Sequence, residues 1–331
     1  MTERRLKTLI VGCGHIAGGV GLPARDNEAL SHVAAYAADG RFEITACVDP
    51  DMERRDRFTR DWDVGAAYPD LNTALADDRT YDVASICTPS DTHADALAQL
   101  LGSNVGLVLC EKPLTTSLQD TERMVGAYAQ AGKPLAVALT RRWHRAVHQV
   151  TSELSDGTWG RVQSVHARYS RGIRNTGTHI IDLLLLLVGP MTVRYAGNPR
   201  HDYAPDDPTI DAILMTNDGA AVHLMGSDGR EFSLLEMELV TEKGAITFED
   251  WGTKVRRRPT VTYRYAPDTV TLDHGSWAEY GAGGSFEAMV DNVYRTALRG
   301  EALACDGSHA VAAERLIEAL IETATRSETA A

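Results

Sequence analysis

Glu111-Lys112-Pro113 closes the apolar run 105–110, placing a cation between a carboxylate and a residue that restricts the backbone. A lysine held in this way at the end of a strand is a candidate catalytic group. Three earlier apolar runs also end on polar or turn residues: KTLIVGCGHIA (7–17), FEITACVDPD (42–51, with Asp49) and the run closing in CTPSDTH (87–93). Four such ends describe the ligand-binding edge of a parallel sheet. Gly12, Gly14 and Ala17 give G-x-G-x-x-A, with His15 and Ile16 inside it. Glycines there permit a sharp turn and let backbone N–H groups approach a pyrophosphate, which predicts a bound dinucleotide.

The elements that must carry these residues follow from the hydrophobic pattern. Apolar runs recur at 8–11, 44–48, 83–87, 105–110 and 135–139, with helical patterns such as 94–103 and 118–132 between them. That alternation predicts a parallel sheet covered by helices on both faces, an α/β arrangement. After TRRWHR (140–145) the pattern changes. A helix over 144–155, a half-exposed strand over 161–170 and a short apolar helix over 177–189 lead into several strands between 191 and 272. The turns NDG (217–219) and SDG (227–229) read as hairpins. The second part is therefore expected to be α+β with a largely antiparallel open sheet, closed by helices at 285–299 and 308–325. The division expected is 1–140 for dinucleotide binding and 141–331 for substrate binding and oligomerisation.

At 331 residues, 44% hydrophobic and 24% charged, the chain has the composition of an ordinary two-domain globular protein. A net charge of −13 argues against a nucleic acid or an anionic membrane as partner. Five cysteines without a CxxC read as buried side chains in a reducing compartment, and no metal site is expected. The first strand starts at about residue 6, which leaves no room for a signal peptide, and the longest apolar run (183–189) is far short of a membrane span. A cytoplasmic protein is expected.

VGCGHIA, VDPD, CTPSDTHAD, EKPL and a later GTHIID, in that order, resemble the Gfo/Idh/MocA family of nicotinamide-dependent sugar and cyclitol oxidoreductases. The resemblance runs through most of the chain and implies an N-terminal Rossmann-type domain. Thr88, Pro89 and His93 then belong to a motif along the nicotinamide half of the cofactor, although His93 also suits a structural place at a helix start. Asp49 would accept hydrogen bonds from the adenosine ribose and repel a 2′-phosphate, which favours NAD over NADP; Arg54 and Arg55 are the residues that would reverse this. Asp49 lies 35 residues beyond Gly14, against the usual ~20. Residues 18–31 therefore look like an insertion, with the helix resuming near His32.

Hydride removal from a carbinol carbon needs a base for the hydroxyl proton and a positive group for the developing alkoxide. The resemblance puts Lys112 between nicotinamide and substrate, with its pKa lowered by desolvation and a cationic ring. Glu111 would position it or touch the cofactor amide. Pro113 follows a cis peptide in relatives. His179, in the pattern D-x-G-x-H-x-x-D, is the implied proton acceptor. Here Asn175 replaces the first aspartate, and an amide cannot accept a proton. Asp182 would orient His179 or cap the helix. On the substrate side stand Arg142, Trp143, Arg168, Tyr169 and Arg171, with Arg174 nearby. They suit an anionic substrate such as a nucleotide-linked sugar or a uronate, or else a set of local salt bridges. Family resemblance also implies a homodimer or homotetramer, with Leu214, Val222, Leu224 and Leu239 in range of the contact face. Two other readings share this fold: a glycosidase that uses NAD for transient oxidation, and a silent dinucleotide-binding regulator, against which the retention of Lys112 and His179 argues.

Overall fold

The computed structural model describes residues 4–18, 29–281 and 283–329. Contacts divide the chain into two compact units: Met1–Trp143 with Ala282–Val311, and His144–Gly281 with Ala312–Ala331. The chain thus returns to its first unit after 281, whereas the sequence pattern alone had assigned everything beyond 140 to the second.

The first unit is built as β1 Leu6–Val11, α1 His32–Asp39, β2 Phe42–Val48, α2 Met52–Trp62, β3 Ala67–Tyr68, α3 Leu71–Ala76, β4 Val83–Ile86, α4 His93–Leu101, β5 Leu107–Cys110, α5 Leu118–Ala131 and β6 Leu135–Val137. The strands lie in the order β3-β2-β1-β4-β5-β6, all parallel. This is the doubly wound Rossmann order, with its switch point between β1 and β4. Every residue of β4, β5 and β6 is buried, as in a sheet covered on both faces. Helix starts are fixed by side chains: Ser31, Asp51 and Ser117 accept from the backbone N–H of Ala34, Arg54 and Asp120. The two-residue β3 has no counterpart in the hydrophobic pattern, being too short to show a period.

The second unit contains α6 Arg145–Ser155, β7 Val162–Ser170, α7 Gly177–Val188, β8 Met191–Ala204, β9 Asp207–Thr216, β10 Ala221–Ser227, β11 Leu235–Thr241, β12 Gly244–Glu249, β13 Lys254–Thr262, β14 Val270–Leu272 and β15 Ser276–Glu279. Its sheet runs β14-β13-β12-β11-β7-β10-β9-β8, with β15 on β13. All pairs are antiparallel except β7 with β10. NDG is a hairpin turn, as expected. SDG is not, because β7 lies between β10 and β11 and both pair with it instead of with each other.

One face of this sheet is packed with α6, α7 and the end of the chain around Leu183, Leu184, Ile317 and Leu320. Leu214, Val222, Leu224 and Leu239 belong to that core and are at most 1% exposed. They are not on an open face; with a side-chain period of 2, the open face falls to their neighbours, among them His166, Ile213, His223 and Met225. Helix α8, Ser285–Arg299, packs back in the first unit on α1. The last helix, α9 Gly307–Thr329, passes from one unit into the other at Val311. All five cysteines are buried, and none is in a disulfide. No helix of the described residues is long and apolar enough to cross a membrane.

Candidate functional site

At the end of β1 the backbone turns through Gly12 at φ +94°, and its N–H donates to the Val48 carbonyl at 2.7 Å. A Cβ there would lie 2.8 Å from the Cys87 carbonyl carbon and 2.9 Å from the Thr88 methyl. Only glycine suits both the conformation and the contact. Gly14 is different: a Cβ added to it meets nothing within 4 Å, so its backbone faces open space. That space is a cleft of about 500 Å³ lined by Cys13, Gly14, His15, Asp51, Glu53, Arg54 and Arg57. A glycine turn with one face against β4 and the other open fits a dinucleotide pyrophosphate.

Ile16 and Ala17 accept hydrogen bonds from the N–H groups of His32 and Val33, at 3.1 and 3.0 Å. The turn therefore joins α1 directly, as an insertion between them requires. Residues 19–28 of that insertion lie outside the described residues.

Asp49 ends β2 beside this turn, 3% exposed. Its Oδ2 accepts from Cys13 N and its Oδ1 from Asp51 N, both at 2.9 Å, and Arg54 Nη1 stands 3.4 Å from Oδ2. The carboxylate is thus anchored on its own backbone. Asp51, Glu53, Arg54 and Arg57 form the cleft wall next to it, and Asp51, Glu53 and Arg57 were not foreseen. Arg55 points instead to the Asp49 and Pro50 carbonyls.

Lys112 is half-buried just beyond β5, and the Lys112–Pro113 peptide is cis. Glu111 N donates to Ile86 O of β4 at 3.0 Å. The Glu111 carboxylate has two partners: Oε1 lies 3.0 Å from His32 Nε2, and Oε2 accepts from Lys112 N at 3.2 Å. His93 is buried, with Nδ1 2.9 Å from Pro113 O and Nε2 2.9 Å from Thr88 O. Both ring nitrogens face backbone carbonyls, an arrangement that suits the structural role weighed for this residue. Thr88 is half-buried and Pro89 exposed at the same strand end, where Thr92 Oγ1 bonds to Thr88 Oγ1 and Pro89 O. His32 was missed as a site residue. The sign was a lone histidine opening an otherwise apolar helix, HVAAYAAD.

Trp143 is buried in the core of the first unit, its indole N–H on Asn292 Oδ1 at 3.1 Å, and Arg142 beside it is 6% exposed. Trp143 therefore anchors α8 and leaves little surface for a substrate.

In the second unit β7 ends at Ser170 and the chain passes through Arg171 (φ +64°) and Gly172 (φ +79°) into one π-helical turn, Gly172–Thr176. Asp207, at the start of β9, holds that turn: its carboxylate accepts from Arg174 N at 2.7 Å and Asn175 N at 2.9 Å. A Cβ on Gly172 would run into the Asp207 carboxylate, so the glycine makes room for it. Burial pushes the Asp207 carboxyl up from its ordinary range, and the two backbone N–H groups oppose this. His179, half-buried, is on the first turn of α7, and the buried Asp182 lies one turn on, on the same face. Asp207 was not foreseen, because nothing near it in sequence signals a partner 32 residues away.

The basic cluster divides. Tyr169 is fully buried, its hydroxyl bonded to both the N–H and the carbonyl of Ile210. Its side chain lies on the core face and offers no substrate contact. Arg168, on the opposite face, pairs with Glu236. Arg174 makes a two-pronged pair with Glu318, at 2.7 and 3.1 Å. Arg171 stacks over Tyr203 at 5.9 Å and reaches the Gly229 carbonyl. The salt-bridge reading accounts for Arg168 and Arg174, leaving Arg171 next to the His179 turn.

Residues 6–139 match an oxidoreductase family with an NAD-binding Rossmann fold, Gfo/Idh/MocA. Over 241 residues the chain is 27% identical to the D-apiose dehydrogenase of Paraburkholderia graminis, covering 68% of this chain and 60% of that protein, so it spans about three-fifths of that relative's length. Two solved structures share the fold from end to end. The WlbA dehydrogenase of Bordetella pertussis, in complex with NADH and UDP-GlcNAcA, is 23% identical with a TM-score of 0.76 over 97% of each chain. KijD10, a 3-ketoreductase from Actinomadura kijaniata in complex with NADP, is 20% identical with a TM-score of 0.77 over 97% of this chain and 98% of that one.

Proposed function

We propose that the chain, whose residues 6–139 match the Gfo/Idh/MocA oxidoreductase family, moves a hydride between a nicotinamide and a hydroxyl-bearing or carbonyl carbon of a sugar, sugar derivative or cyclitol. One observation carries the reading. The glycine turn after β1 and Lys112 after β5 stand at the same carboxyl edge of one parallel sheet, with only β4 between them. When bound, the nicotinamide supplies the hydride chemistry. The chain's part is to hold and to balance charge. Gly12 and Gly14 open the backbone to the pyrophosphate. The Lys112 ammonium stabilises the alkoxide that develops at the reacting carbon. His179 has the proton-acceptor role, and Asn175 and Arg171 bond substrate polar groups.

The cofactor in this reading is NAD. The cleft wall has two carboxylates, Asp51 and Glu53, against two guanidinium groups, Arg54 and Arg57. The anchored Asp49 behind them tips the balance negative, which disfavours a 2′-phosphate. Titrating NADH and NADPH into the protein tests this; tighter NADPH binding refutes it. A panel of aldoses, inositols and UDP-sugars, followed by NADH absorbance in both directions, tests the reaction. Net NADH formation or consumption with one member supports it, and none with any member, with NADH bound, counts against it.

A further inference from the structure

We propose that His32 and His93 are positioning residues that clamp the Glu111–Lys112–Pro113 turn from two sides and so fix the backbone from which Lys112 projects. The inference rests on the reading of Lys112 as the group that stabilises the alkoxide. Three observations support it. His32 lies on α1 with a fully buried side chain, and its Nε2 donates to Glu111 Oε1 at 3.0 Å. The other oxygen of that carboxylate receives Lys112 N at 3.2 Å, so one side chain links the buried ring to the lysine's own amide. On the far side of the turn the His93 ring lies between two carbonyls, Nδ1 2.9 Å from Pro113 O and Nε2 2.9 Å from Thr88 O just beyond β4, and donates to Pro113 O in the Nδ1–H tautomer. The turn is thus bonded before and after Lys112 to two buried rings.

The chemistry of the pair suits a rigid clamp. Burial alone pushes the His32 imidazole down, but the Cys87 sulfur and the Glu111 carboxylate outweigh it and raise it to about 10. The His32–Glu111 contact is an imidazole–carboxylate bond with little access to water, the kind that charge assistance strengthens. A small displacement of a reacting group from its productive geometry costs on the order of 10²-fold in rate.

The test compares His32→Leu, His32→Gln and Lys112→Met with whichever panel substrate the wild type turns over. His32→Leu is expected to lower kcat about 10- to 100-fold while the KM for substrate and the Kd for NADH stay within about threefold. His32→Gln, whose amide can still donate to Glu111, is expected to restore most of that loss. In the double variant His32→Leu/Lys112→Met, the loss should equal that of Lys112→Met alone, because His32 acts only through the lysine. If His32→Leu does not fold, Glu111→Gln, which changes charge and not volume, carries the same comparison. Unchanged kcat in the folded Leu variant, a Gln variant as poor as Leu, or losses that multiply in the double variant would each overturn the clamp. A Lys112→Met protein with full turnover overturns the catalytic reading itself, and so separates the two failures.

Discussion

Gly12 and Gly172 both stand at positive φ, +94° and +79°, and both follow a strand just ahead of residues assigned to chemistry. Their surroundings differ. Gly12 packs against the backbone of the neighbouring strand, and the nearby turn that bears Lys112 is tied down by His32 and His93 within the parallel sheet. Gly172 packs against a single carboxylate, Asp207, which holds the π-helical turn ahead of His179 by two backbone N–H groups. The turn that bears Lys112 is held by bonds from three elements, whereas the backbone of the second is held from β9 alone, by Asp207 and by Thr209, whose Oγ1 accepts from Gly172 N at 2.9 Å. The first should therefore keep its stability better than the second when a single bond is lost.

The largest effect follows from that dependence. Gly172→Ala places a Cβ against the Asp207 carboxylate in a left-handed backbone, and should cost about 3–5 kcal/mol of stability by chemical denaturation. A loss under about 1 kcal/mol would show that the turn can rearrange. Asp207→Asn keeps the volume but weakens one of the two bonds to the turn. It should cost about 1–2 kcal/mol, and should lower activity more than the same stability loss introduced elsewhere in the second unit.

In the first unit the corresponding test is one of pH. His32 has its folded-state pKa raised from 6.5 to about 10, so its stabilisation is fully present below about 6.5 and is lost as pH rises toward 10. The wild type should lose more stability across that window than His32→Leu, and parallel curves would remove His32 from the account. A smaller shift is expected for Asn175→Asp. A carboxylate four residues before His179 raises the imidazole pKa, so the acid limb of the rate profile should move up by about 0.5–1 unit. Smallest is Met225→Lys on the open sheet face. If this face joins subunits, light scattering at micromolar concentration should show a lower mass than for the wild type; a monomeric wild type would contradict the dimer or tetramer expected from the family.

The same contrast governs what could be read from sequence. The parallel sheet, the glycine turn and the Glu111–Lys112–Pro113 turn are local patterns, each written within a few residues. The antiparallel sheet was legible as strands but not in its pairing: SDG resembles a hairpin turn, yet β7 inserts between the strands that it joins. The pairings of the two residues that hold the candidate site were out of reach. His32 meets Glu111 across 79 residues and Asp207 meets Asn175 across 32, and no period in the chain links them. Tyr169 and Trp143 were misassigned for another reason: an aromatic beside arginines suggests a ligand, but burial turns both toward the core.

Lys112→Met, assayed for NADH binding and for turnover on the same preparation, tests the central claim most directly. The cradle at Gly12 and Gly14 is untouched, so NADH should bind within about threefold of wild type while turnover falls by at least ~10²-fold. Wild-type turnover would contradict the assignment of Lys112, and loss of NADH binding would show that the lysine serves the cofactor and not the reacting carbon.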